Sequence, residues 1–324
     1  MIDAQFRRQF PGRALLVLWG VLAVFAVEIF VTYTRTPIHE LYQVRHGGPA
    51  EGLTRALAFT GFPCGLIALA TLPIVLQELS RRTLTIGAAA AGLVAAGVFW
   101  PGALDEAGVD ARPAGVLAAV GVAIALGLTV RAARVAGASR PSSEPWDRAR
   151  LGIASLLGFA ALPWLAAEFA ASLDRIPGLN TVFLTEVLTR QPGVAGLHPA
   201  VHDGHHHGMS GVLLALAALL LSRTLRLIRA TALRRATGLY LSFLLVYGTA
   251  NALQDFWLEQ VVKRGLTTAQ LPMMLAPSVR PAWAVIVAAS IAVFLGGSWL
   301  VRWRSRQAGI PAVARAPGLD PVRA

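Results

Sequence analysis

Five histidines crowd the segment Leu197-His-Pro-Ala-Val-His-Asp-Gly-His-His-His-Gly208, directly ahead of a long apolar run, in a chain that has seven in all. Neutral imidazole is a common ligand for zinc, copper and iron, and three or four donors brought to about 2.0–2.1 Å of one ion make a site. Pro199 suits a helix start, so the spacing predicts a helix running from there into 205–222. His198, His202, His205 and His206 would then share one face through i, i+3 and i+4 relationships, with His207 beside them. Asp203 is in this reading a further ligand, or the partner that fixes a histidine tautomer. Gly204 and Gly208, four apart, would admit a neighbouring helix closely. The same segment also reads as a solvated interfacial loop, or as a proton-sensitive switch without metal.

A second constellation is acidic. Glu28 in Val27-Glu-Ile-Phe and Glu168 in Ala167-Glu-Phe-Ala interrupt otherwise apolar runs. A carboxylate at membrane depth costs about 2.5–3.5 kcal/mol on insertion scales, so such groups face the protein interior and have partners or functions. The helical rise puts both toward the outer leaflet, on the side of the histidines. Asp255 and Glu259, near the end of a later apolar run, add acids to that face, as do Asp105 and Glu106. The alternative for each glutamate is a structural one, hydrogen-bonded and holding two helices together.

The elements that must position these groups are membrane helices. With 55% hydrophobic and 14% charged residues, the composition does not suit a water-soluble domain. Apolar runs approaching the ~20 residues needed to cross ~30 Å of hydrocarbon recur along the whole chain. They predict an all-α, polytopic fold of about eight transmembrane helices, at 14–33, 57–77, 86–104, 115–131, 151–172, 205–222, 236–253 and 281–301. The first run is longer than a ~7–15-residue signal core and lacks a following small-x-small site, so it reads as a span.

Twenty of the 29 Lys and Arg residues fall at 7–13, 81–82, 131–150, 223–235 and 302–323. Cytoplasmic loops retain such residues, which gives an N-in/C-in topology with the histidine cluster outside the cell membrane. Spread over five short segments, these arginines suit anionic lipid headgroups and argue against nucleic acid as a partner. The single Cys64 can form neither an internal disulfide nor a cysteine-based metal site.

The two ends of the chain look alike. Arg112-Pro-Ala and Arg280-Pro-Ala each open an apolar run, Phe99-Trp100 and Phe256-Trp257 precede them, and Glu28 and Glu168 occupy matching runs. We expect a tandem 4+4 repeat: a first half at 1–130, a Pro/Ser/Arg-rich cytoplasmic linker at 131–150, a second half at 151–306, and a disordered cytoplasmic tail at 307–324. An even number of crossings per half makes the repeats parallel. The first-loop residues His39 and His46 would be the counterparts of the 173–208 loop, in which 176–190 has helix-like apolar spacing.

His198-x-x-x-His202 followed by His202-x-x-His205-His206 resembles the histidine boxes of membrane fatty-acid desaturases and hydroxylases, which implies a di-iron oxygenation site. Those enzymes use about eight histidines in separated, cytoplasmic boxes, whereas this cluster is single and lies outside. In architecture, eight helices with an outward metal site are also similar to the copper-resistance inner-membrane proteins of the CopD type. No phosphate-binding loop, dinucleotide fingerprint, His-Glu-x-x-His or nucleophile elbow is present.

Three functions fit these residues. The first is a membrane protein that captures a transition-metal ion (Zn, Cu or Fe) at the outer face for transport or handling, with Glu28 and Glu168 passing ions or protons inward. The second is a metal-dependent membrane enzyme acting on a lipid-like or small hydrophobic substrate, the metal activating water or oxygen. The third is a non-catalytic assembly or sensing subunit.

Overall fold

The computed structural model describes residues 10–37, 47–100, 111–136, 143–144, 146–192, 196–204, 206–275 and 279–307. His39, His46, Asp105, Glu106, His205 and the tail at 308–324 lie outside the described residues.

Among the described residues the chain is mostly helical, with one two-residue strand pair. Its helices are α1 (Gly12–Arg35), α2 (Pro49–Gly61), α3 (Pro63–Val75), α4 (Arg81–Phe99), α5 (Pro113–Ala136), α6 (Asp147–Ala160), α7 (Leu162–Glu168), the single turn α8 (Leu179–Val182), α9 (His207–Ser222), α10 (Thr231–Trp257) and α11 (Pro281–Gln307). Pro49, Pro63, Pro113 and Pro281 stand at helix starts, where a missing N–H costs no hydrogen bond.

Among the described residues, helix covers most of each of the eight expected apolar runs. Among the described residues, five segments are long and apolar enough to cross a membrane: α1, the α2–α3 run Pro49–Glu78, α5, the run Thr231–Val262 that continues α10, and the α11 portion Pro281–Leu300. The α6–α7 pair makes a sixth if its 55° bend is part of one span. The bend falls at Ala161, just ahead of Pro163 in the first turn of α7. Thr83–Phe99 and α9 are apolar but shorter.

Burial sorts these helices into layers. α3 and α9 are buried on almost every side and pack against each other, with α5 and α10 around them. α1 and α11 instead turn rows of Val, Leu and Ile outward, Val17, Val24 and Val27 on one and Val285, Val287 and Leu295 on the other. Apolar surface that continuous suits lipid rather than water.

The α9–α10 crossing is set by two glycines. A Cβ on Gly211 would fall 2.5 Å from the Gly248 carbonyl oxygen, and one on Gly248 would meet the Gly211 oxygen in return. Such small-residue contacts let backbones approach where lipid gives no hydrophobic drive to associate. Polar side chains tie the other helices: Trp19 Nε1 donates to Thr129 Oγ1 at 3.2 Å, and Tyr240 Oη to the Leu66 carbonyl at 3.0 Å.

The described residues at 173–192 and 196–204 form a folded cap. Asp174 accepts from the Thr185 backbone N–H and, at 2.8 Å, from its hydroxyl. β1 (Leu188–Thr189) pairs antiparallel with β2 (His198–Pro199), and the ladder continues as Ala200 N–H to Val187 O and Val201 N–H to Thr185 O, both at 2.9 Å. The helix-like spacing over 176–190 thus yields only α8, and the rest is turns, bends and the strand β1.

Candidate metal centre

The histidine segment does not form the helix that its spacing suggests. α9 begins at His207, with His206 as its N-cap in an extended conformation. Upstream, Pro199 lies in β2, where its carbonyl side remains usable and its missing N–H is tolerated at a sheet edge. Gly204, at φ +106°, turns the chain between His202 and His206. His198, His202 and His206 therefore share no helical face. His198 sits on the strand opposite Thr189, half-buried, and His207 occupies the first turn of α9.

The turn nevertheless gathers donors. One ligand atom each from His202, His206 and Glu259 lie within 4.8 Å of one another. The two imidazole centroids are 4.7 Å apart. His206 and Glu259 are almost completely buried, and His202 is half-buried. A tetrahedral ion with ligand bonds near 2.1 Å separates its donors by about 3.4 Å, so small side-chain rotations would close this set around a metal.

His206 is held from behind. Its backbone N–H donates to Glu168 Oε1 at 3.3 Å, and its Nδ1 lies 3.2 Å from the same oxygen. The tautomer that satisfies this contact carries the proton on Nδ1, leaving the lone pair on Nε2. Nε2 is buried and has no hydrogen-bond partner. Carboxylate–histidine pairs of this kind orient metal-ligating imidazoles and raise their basicity.

Glu168 owes its place to the bend and to an abrupt helix end. The Ala171 N–H reaches Ala166 O at 2.7 Å and the Ala170 N–H reaches Ala167 O at 3.1 Å, with Ala170 at φ +51°. That is a Schellman termination with alanine in the left-handed position glycine usually takes. One turn back, Trp164 shares the face of Glu168 and donates its indole N–H to Glu259 Oε2. The indole in turn lies on the start of α9 so closely that a Cβ on Gly208 would overlap it.

Glu259 is presented by a π-helical turn, Leu258–Val262, at the end of α10. Such turns often mark functional positions. Here the turn aims three side chains at the cap. Beyond Glu259, Gln260 pairs with both the N–H and the carbonyl of Leu184 at 2.8 and 2.9 Å, and Lys263 Nζ donates to Ala200 O at 2.7 Å. Burial lowers the Lys263 ammonium from its usual range, opposed by the nearby Glu259 and Asp255 carboxylates. One turn before Glu259, Asp255 Oδ2 accepts the Gly208 N–H, an N-cap for α9 supplied by another helix.

Glu28 reaches the cluster from α1. Its carboxyl lies within hydrogen-bonding reach of Glu168, Thr32 donates to Oε1 at 2.6 Å, and Phe25 packs on Phe169 with centroids 6.2 Å apart. Glu28 Oε2 and Glu168 Oε2 are both buried and lack a donor. Asp203 is half-buried and acts electrostatically on Glu168. Among the described residues, Glu28, Glu168, Asp255 and Glu259 make no ion pair with an arginine or lysine. A buried cluster of carboxyls with so little basic compensation needs protons or a cation.

The structure therefore brings together His202, His206, Glu259, Glu168, Glu28 and Asp255, and leaves His198 and His207 apart from the donor group. Trp164, Gln260 and Lys263 are site residues that the sequence reading did not name. For Trp164 a signal existed, since it precedes Glu168 by four residues, the spacing that puts two side chains on one helical face. The chain matches no protein-family model, no curated protein and no solved structure.

Proposed function

We propose that this is a multi-pass membrane protein that binds a divalent transition-metal ion of the zinc, copper or iron class through His202, His206 and Glu259. The observation that carries the reading is the backed histidine: a buried imidazole whose Nδ1 faces Glu168 and whose Nε2 has no partner, beside a second imidazole and a carboxylate. Neutral imidazole and carboxylate suit these borderline ions. His202, the half-buried member, is the port of entry in this reading, and the outer membrane face is its side.

Ion handling or transport is the function we favour. In support, the donor group continues through Glu168 to Glu28, so an ion or its displaced protons would pass from the cap to α1. Eight spans in a tandem 4+4 arrangement belong to the same proposal, in which Glu28 and Glu168 are equivalent acids that meet between the halves. The second reading, a metal-dependent membrane enzyme, is favoured by the ligand count. Two histidines and one carboxylate leave coordination positions open, as in catalytic zinc and non-haem iron sites.

Elemental analysis of the purified full-length protein tests the metal. Near-stoichiometric Zn, Cu or Fe is expected, with loss in His202→Ala, His206→Ala and Glu259→Gln. Wild-type protein that takes up none of these ions at micromolar concentration would overturn the proposal. Ion flux in proteoliposomes then separates transport from catalysis.

A further inference from the structure

Away from the cap, between α9, α10 and α11, lies an open groove of about 510 Å³. Its walls are apolar, formed by Leu219, Leu241, Leu245, Val293 and Phe294. At one end stand Arg234 and Arg235, with the hydroxyls of Ser222 and Ser298 also lining the groove. Among the described residues neither arginine forms an ion pair with a carboxylate. The Arg234 guanidinium makes a long, 3.5 Å contact to the Ile228 carbonyl.

The depth of these arginines is marked independently. Trp299 and Trp303 stack on α11 with centroids 6.3 Å apart, just beyond the groove residues Gly297 and Ser298. Tryptophans of this kind concentrate at the membrane–water interface. With these rings taken as an interfacial marker, the guanidiniums would lie at headgroup level and the apolar walls would run from them into the hydrocarbon layer.

We propose that this groove is a binding site for an anionic phospholipid. The phosphate would sit on Arg234 and Arg235, and an acyl chain would lie along Leu241, Leu245 and Val293. Charge complementarity selects the occupant: a zwitterionic lipid would fill the same walls but leave two guanidiniums without net compensation, whereas basic groups near a surface attract anionic headgroups. α11 would gain most, since it is held chiefly by α10 and otherwise faces outward.

The test is native mass spectrometry of the full-length, delipidated protein with equal amounts of dioleoylphosphatidylglycerol and dioleoylphosphatidylcholine. Wild type should retain the glycerol lipid by about 30-fold over the choline lipid, the factor expected from two interfacial arginines. Arg234→Gln with Arg235→Gln should abolish the preference. Arg131→Gln with Arg134→Gln, an equal charge loss at exposed positions of α5, should leave it intact. Gly297→Leu keeps both arginines and puts a side chain into open groove space, so it should lose the bound lipid while the protein folds. Equal retention of the two lipids by wild type, equal loss in the two arginine pairs, or full retention in Gly297→Leu would each overturn the site.

Discussion

Glu168 Oε1 is shared by two groups of His206, its backbone N–H and its ring Nδ1, at 3.3 and 3.2 Å. The backbone contact fixes the chain position and the ring contact fixes the tautomer, so the imidazole is oriented before any ligand arrives. Glu168→Gln keeps the size of the side chain but weakens its hold on the Nδ1 proton. Metal affinity should fall by about 10–100-fold, the usual cost of losing such a partner. Competition with a chromogenic chelator measures it, and an unchanged affinity would make the pair purely structural.

Trp164 supports the centre differently, because its indole N–H is a hydrogen-bond donor to buried Glu259. Trp164→Phe keeps most of the packing but removes that donor, leaving a buried carboxylate short of a partner at about 1–3 kcal/mol. The metal-free protein should melt at a lower temperature. Saturating metal should recover part of the loss, since a ligand that binds only the folded state stabilises it. A variant melting with wild type in both conditions would contradict the role given to the indole.

Gly204 makes the turn that sets His202 beside His206. Its φ of +106° disfavours any side chain, and a Cβ there would fall 2.8 Å from Tyr33 Oη, whose ring lies under Arg55 at 5.0 Å. Gly204→Ala should therefore weaken metal binding although it removes no donor atom. Its α-helix content by circular dichroism should equal that of wild type, because the strain is confined to the cap. Wild-type metal binding in this variant would show that the donors do not depend on the turn.

The helical character was legible because long apolar runs and proline starts are local signals, whereas the Gly211–Gly248 contact that sets the α9–α10 crossing was not read from the sequence. The cap was not legible either, because its order comes from partners far away in sequence. His198 and Pro199 are extended because they pair with Leu188 and Thr189, and the spacing of histidines carries no trace of that register. The acids fared better. Glu28 and Glu168 stood out as charges within apolar runs and Asp255 and Glu259 as acids near the end of another, and the structure brings all four near the start of α9. What their spacing could not reveal was the π turn that aims Glu259, or the bend at Ala161 that brings Trp164 and Glu168 onto it.

Ala170 is the one described non-glycine residue with positive φ, at 51°, and it ends α7 immediately after Glu168. Left-handed geometry costs an L-residue roughly 1–2 kcal/mol, offset in part by the greater unfolded-state freedom of glycine. Ala170→Gly should stabilise the protein by about 0.5–1 kcal/mol with metal affinity unchanged. Chemical unfolding in mixed micelles reads the difference, and a destabilised variant would count against the Schellman end.

Metal uptake itself should be pH-dependent, with a sign fixed by the ligands. An imidazole must be neutral to coordinate, so protons compete with the ion and binding strengthens as pH rises. With His202 and His206 both ligating, the affinity should climb as pH rises, each histidine adding up to one proton per ion to the slope in acid and the Glu259 carboxyl adding any proton it gives up. His202→Ala should bind more weakly and show a slope lower by about one. A wild-type affinity that does not change between acid and neutral pH would exclude the histidines as ligands, and a slope unaltered by His202→Ala would remove His202 from the set.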